Sequence, residues 1–115
     1  MKLTNSVRLG VGPVNFDLTK EQKMIRDVVR EFAQGEIAPR AREIDRTGQF
    51  PLDIIKKMAD LDLMGLPFPE KYGGAGADYV SYCLAVEEIS RACASTGLTY
   101  EAHISLGCMP IYLFG

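Results

Sequence analysis

The chain has no tryptophan, a single histidine (His103), and three cysteines, Cys83, Cys93 and Cys108, with no C-x-x-C pair among them. One histidine and scattered thiols cannot complete a four-ligand zinc site, and an odd cysteine count is a poor disulfide framework. The thiols are expected to be reduced core residues in a cytosol-like compartment. A basic stripe is also missing. Thirteen Lys and Arg against fifteen Asp and Glu leave a net charge of −2, with no electrostatic footprint for nucleic acid. The residues before Asp17 lack acids and carry Lys2 and Arg8. No apolar stretch with a small-residue cleavage site follows them, so residues 1–15 are expected to be an arm rather than a secretory signal.

Charge is scarcest at the other end. From Asp17 to Asp60 nine acids and nine bases mix, whereas Thr96 to Gly115 hold one charged side chain, Glu101. A helix that is apolar all round must be buried by something. The first eighty residues can supply only part of that cover, so the chain is expected to be the opening piece of a larger molecule, and on its own to expose an apolar patch and self-associate. Glu101, His103, Ser105 and two threonines interrupt the stretch, and no Lys or Arg cluster flanks it, which argues against a membrane span.

What is present is helical. Thr19 followed by Gln22 forms a capping box whose loss would cost about 1 kcal/mol. Behind it Ile25, Val28, Val29, Phe32 and Ala33 recur at helical spacing, giving one dry face. Gly35 and Pro39 should bend this helix, and Ile37, Ala41 and Ile44 carry its apolar face on to about Asp45, with two separate helices as the alternative. Residues 47–50 read as a turn, and Pro51 suits the first position of a second helix with an inner stripe of Ile54, Ile55, Met58 and Leu61. Leu66 to Gly76 is too rich in Pro and Gly for a regular element and reads as an ordered loop. Asp78 caps a third helix through about Cys93, with Tyr82, Val86, Ile89 and Cys93 inward. The apolar tail is a fourth helix, interrupted at Pro110. With no credible period-2 run, the fold class is all-α with four main helices.

No catalytic group follows from these residues. Gly74-Ala75-Gly76 suggests a dinucleotide fingerprint, but Tyr79 stands at its third glycine and no strand precedes it; Gly10-Val11-Gly12 fails in the same way, with Asn15 there. Glu87 and Glu88 are neighbours about 100° apart on a helix, so they read as face charges, with Glu87 placed to pair with Arg91. His103 and Cys108 fall about 140° apart on a regular helix, too far round for a nucleophile pair. His103 is therefore expected to be a hydrogen-bonded core or cavity-wall residue.

In order, Phe16-x-Leu18-x-x-Glu21-Gln22, Ile37-Ala38-Pro39, Pro69-Glu70-x-Tyr72-Gly73-Gly74-x-Gly76, Glu87-Glu88 and Ser105-Leu106-Gly107-x-x-Pro110-Ile111 resemble the N-terminal helical domain of the acyl-CoA dehydrogenase family. The likeness covers residues 16–115. It implies an FAD enzyme in which a carboxylate base takes the α-proton of an acyl-CoA thioester while the β-hydrogen leaves as hydride to the flavin, giving a trans-2-enoyl-CoA. It also implies electron-transferring flavoprotein as the partner, a role in fatty acid β-oxidation and a homotetramer, located in the cytoplasm or, in a eukaryote, the mitochondrial matrix. The following β-domain and C-terminal helical domain would carry the base and most of the FAD contacts, so no catalytic residue is assigned here. Set in the family's register, Leu98, Thr99 and Ala102, with His103, would face the acyl cavity. The alternative is a helical interaction module that kept the fold and lost the flavin chemistry.

Overall fold

Thr19 opens the first helix. Its Oγ1 accepts from the Gln22 amide at 3.1 Å, while the Thr19 amide donates to Gln22 Oε1 at 2.9 Å, completing the capping box. The computed structural model describes residues 12–115; most of the expected 1–15 arm, with Gly10 and Val11, lies outside the described residues. Helix α1 spans Lys20–Phe32, a π-turn Ala33–Ile37, a 3-10 turn Ala38–Arg40, and α2 Ala41–Thr47. The backbone stays right-handed through these joints, so they form one bent rod that reaches Thr47, two residues beyond the expected end. Pro39 has no amide to give, and the widened π-turn absorbs the mismatch before it. Gly48 closes the rod at φ 65°, a left-handed cap.

Helix α3 spans Leu52–Asp60, with Pro51 just before it rather than at its first position. The Pro/Gly stretch is an ordered loop containing one 3-10 turn, Glu70–Tyr72. Its cross-links are backbone to backbone: the amides of Gly76 and Ala77 donate to Phe68 O at 2.8 Å and Leu66 O at 3.0 Å. Helix α4 spans Tyr79–Ala92, and the Asp78 side chain accepts from the Ser81 amide at 2.7 Å. Gln22 Nε2 also donates to Asp78 at 2.8 Å, so the caps of α1 and α4 are tied to each other. The tail is α5, Ala94–Ala102, a second π-turn, His103–Cys108, and α6, Met109–Phe114. Counting the two bent rods once each gives four main helices, and no strand occurs among the described residues. The expected interruption at Pro110 falls earlier, over His103–Cys108. As at Pro39, the π-turn ends two residues before the proline, adapting the helix to the amide Pro110 lacks.

Helix α4 packs between the first rod and α5, and Val29, Ala33, Ile37, Ala85, Ile89, Tyr100 and Ile104 form the centre of the core. Being covered on two sides, α4 buries more than one stripe: Ile89 and Cys93 as expected, Tyr82 and Val86 in part, and also Ser81, Ala85 and Glu88. That corrects half of the paired-acid reading. Glu87 is exposed and meets Arg91 at 3.2 Å, but Glu88 is only 2% exposed and takes Arg30 Nη2 at 2.8 Å. Val28 and Leu61, expected on dry faces, are exposed, Leu61 standing just past the end of α3. Nor are all the thiols core residues: Cys93 is buried, Cys108 half-buried and Cys83 exposed.

The described residues extend 56 × 39 × 23 Å with a radius of gyration of 17.2 Å. A closed domain of this length would have about 13 Å. Residues 12–18, which form no helix and are almost all exposed, and the apolar tail both contribute to the excess. Leu98, Leu106, Ile111, Leu113 and Phe114 are all exposed, Phe114 by 87%, so the apolar tail is bare along one flank.

Candidate functional site

Helix α5 divides by its periodicity. Thr96, Gly97 and Tyr100 are buried, followed by Ile104 in the π-turn, and they face α4. Gly97 makes the approach possible, since a Cβ there would stand 2.0 Å from Ser90 Oγ and 2.8 Å from Ser90 Cα. The opposite side carries Leu98, 67% exposed, and half-buried Ala102 one turn later. Thr99, half-buried, lies beside them, and its hydroxyl donates to Ser95 O at 3.0 Å. His103 is exposed rather than buried, and its Nε2 lies 3.1 Å from the Met64 carbonyl oxygen. Leu98 and Ala102 therefore share an open apolar face, whereas His103 turns toward the connection after α3.

The π-turn also overturns the expected separation of His103 and Cys108. An i to i+5 hydrogen-bonding pattern brings residues five apart onto one side, and Cys108 Sγ lies 3.4 Å from His103 Nε2. Cys108 lines a groove of 510 Å³ between the Pro/Gly loop and α6, walled by Phe68, Tyr72, Ile111 and Tyr112. The Tyr112 ring packs edge-on against Phe68 and Tyr72, at centroid distances of 5.6 and 6.1 Å. None of the four residues expected at a cavity lines this groove. The aromatic residues of the loop and of the tail were its sequence signal, but nothing in one-dimensional spacing places Phe68 against Tyr112.

Two tyrosine hydroxyls near α5 are held in the protonated form. Burial pushes Tyr82 up to about 12, with Glu101 adding to it, and its hydroxyl donates to Glu101 O. Burial raises Tyr100 further still, and its hydroxyl has no partner. Of the loop glycines, Gly74 is closed in by backbone. A Cβ on Gly74 would stand 2.1 Å from the Phe68 carbonyl oxygen, so that glycine is required by packing of backbone on backbone. The adjacent N-terminus of α4 is filled by Asp78, whose carboxyl the Ser81 amide and then Gln22 hold below the usual range. Among the described residues no group of His, Cys, Asp and Glu could hold a metal ion, and no helix is long and apolar enough to cross a membrane.

The described residues thus form a helical domain with a bare apolar flank and a one-sided groove. More specifically, the chain belongs to the acyl-CoA dehydrogenase family: the family model described as acyl-CoA dehydrogenase, N-terminal domain, matches residues 19–115. It is 59% identical over 102 residues to the probable acyl-CoA dehydrogenase YngJ of Bacillus subtilis, covering 89% of this chain and 27% of that protein. Butyryl-CoA dehydrogenase from Megasphaera elsdenii superposes with a TM-score of 0.83 at 35% identity, over 89% of this chain and 27% of that one. A chain in the structure described as "Electron transferring flavoprotein of Acidaminococcus fermentans: Towards a mechanism of flavin-based electron bifurcation" superposes with a TM-score of 0.85 at 44% identity, with the same coverage. The chain thus spans about a quarter of the length of the relatives it matches.

Proposed function

We propose that this chain is the N-terminal helical part of a flavin-dependent acyl-CoA dehydrogenase that converts an acyl-CoA thioester to its trans-2-enoyl-CoA. Its part is to wall the acyl cavity with Leu98, Thr99 and Ala102, His103 standing at the edge. The observation that carries this reading is the division of α5: Tyr100 anchors one side in the core, and the apolar residues opposite are left open. An apolar wall excludes water from an acyl chain and gains about 25 cal/mol for each Å² it covers. FAD is held mainly by other parts of such an enzyme. No chemical step is assigned to this chain's residues. Electron-transferring flavoprotein as acceptor, a homotetrameric assembly, and a cytoplasmic or mitochondrial-matrix location belong to the same reading, supported by family membership.

The test is made on the whole protein. Purified, it should be yellow, bleach anaerobically on addition of butyryl-CoA or a longer acyl-CoA, and yield the 2-enoyl-CoA. A colourless protein that binds no flavin and leaves every acyl-CoA unchanged would contradict the proposal and leave the helical interaction module.

A further inference from the structure

Helix α5 begins on a thiol. Cys93 is its N-cap, in an extended conformation with φ −157° and ψ 112°, and its carbonyl accepts from the Gly97 amide at 2.9 Å. The first turn of a helix leaves its amides without backbone acceptors, and serine, threonine or aspartate usually stands there to take them. Here a sulfur stands there instead. Cys93 Sγ lies 3.3 Å from Ser95 Oγ. The Thr96 hydroxyl, on a residue only 1% exposed, faces the same sulfur and has no hydrogen-bond partner among the described residues. Burial raises the thiol and would by itself make it inert, but the Ser95 and Thr96 hydroxyls, and then their amides, outweigh it and hold Cys93 below the ordinary thiol range. An oxygen carried on the sulfur would give the orphaned Thr96 hydroxyl the acceptor it lacks. The other thiols do not share this setting: Cys83 is exposed in the middle of α4, and Cys108 ends the second π-turn. The setting is complete at the joint between α4 and α5, so it draws on neither the bare flank of the tail nor the groove beside it.

We propose that Cys93 is an oxidation site for hydrogen peroxide, giving a sulfenic acid whose oxygen is held by the Ser95 and Thr96 hydroxyls. The Sγ thiolate attacks one peroxide oxygen, and the O–O bond breaks with its electron pair leaving on the other oxygen. That hydroxide combines with the proton the thiol gave up and departs as water. Sulfur is oxidised by two electrons and peroxide is reduced by two, so no further reactant enters. Peroxide is little larger than water, and a thiol closed to bulky reagents stays open to it. The first-turn amides and the two hydroxyls favour the thiolate that attacks, and the same hydroxyls then favour the oxygen that has been added.

The experiment exposes the whole protein to hydrogen peroxide, removes the excess with catalase, and unfolds the protein in dimedone, which traps a sulfenic acid however deeply it was buried. Peptide mass mapping then follows each cysteine. Cys93 should carry the dimedone adduct at lower peroxide than the more exposed Cys83. Thr96→Val keeps the side-chain shape and removes the orphaned hydroxyl, and Ser95→Ala changes an exposed residue, so both variants should melt with the native protein. Each should lower the Cys93 adduct by about tenfold, the effect of losing one hydrogen bond to a charged group, and leave Cys83 unchanged. Cys93→Ser should remove the early adduct. Oxidation of Cys83 ahead of Cys93, or a Cys93 adduct indifferent to both hydroxyl variants, would overturn the proposal. Because mass reports the adduct without turnover, this outcome is independent of whether the enzyme proves to be an acyl-CoA dehydrogenase.

Discussion

Gly74→Ala and Gly97→Ala are each expected to destabilise the fold by about 3 kcal/mol, the upper range for forcing an atom into a filled space. At Gly74 the new Cβ would lie 2.1 Å from Phe68 O and 2.8 Å from Gly65 O, both backbone atoms fixed by the cross-links of the loop. At Gly97 it would meet the Ser90 main chain across the α4–α5 contact, so the two helices would have to separate. Gly35 is the control. A Cβ there meets nothing within 4 Å, and Gly35→Ala should be neutral or stabilise by about 0.5 kcal/mol through the unfolded chain. Urea denaturation compares the three. Equal midpoints for Gly74→Ala, Gly97→Ala and Gly35→Ala would mean that the close approaches do not exist.

Arg30→Ala should destabilise the fold at neutral pH, because it leaves the Glu88 carboxylate buried with only Arg91, 3.6 Å away, and Arg26 as the cations acting on it. The loss should be pH-dependent in a definite direction. The hydrogen bond from Arg30 holds Glu88 below its ordinary value of 4.5, against the opposing effect of burial. A carboxyl whose folded value is lowered stabilises the fold above its unfolded value, and that contribution disappears as pH falls through the folded value. The stability difference between the native sequence and Arg30→Ala should therefore be full at pH 7 and shrink on acidification below 4.5. Denaturation midpoints at pH 7, 5 and 3 read it; a difference that stays constant across that range would contradict the account of Glu88.

Much of this architecture is legible in the sequence where the signal is local. Thr19 with Gln22, and Asp78 with Ser81, are complete within four residues, and both caps form as the residue types require. The bent first rod was legible for a similar reason, since Gly35 and Pro39 disturb only the turns beside them. What was not legible depends on how many neighbours a helix has. Helix α4 is covered on two sides, so Glu88 enters the core at a position that one inner stripe assigns to solvent, and its partner Arg30 is 58 residues away. The π-turn over His103–Cys108 is the other case. A regular helix separates those two side chains, and one widened turn before Pro110 joins them, so the angular argument was sound and its assumption of regularity was not. The apolar tail was read correctly as lacking cover within these helices, whereas the groove beside it was missed, because loop and tail meet only in three dimensions.

The most direct measurement on the central claim is the acyl-chain-length profile of the whole enzyme carrying Ala102→Phe, compared with the native enzyme from butyryl-CoA to palmitoyl-CoA. Ala102 lies on the open side of α5, so the variant should melt within a few degrees of the native protein and still bind flavin. If that face walls the acyl cavity, the added ring occupies the space of the chain's far end, and the preferred substrate becomes shorter, with kcat/KM for the longer esters falling by at least about tenfold, roughly 1.4 kcal/mol of lost transition-state binding. An unchanged profile in a folded, flavin-loaded variant would contradict the claim and remove this face of α5 from the cavity.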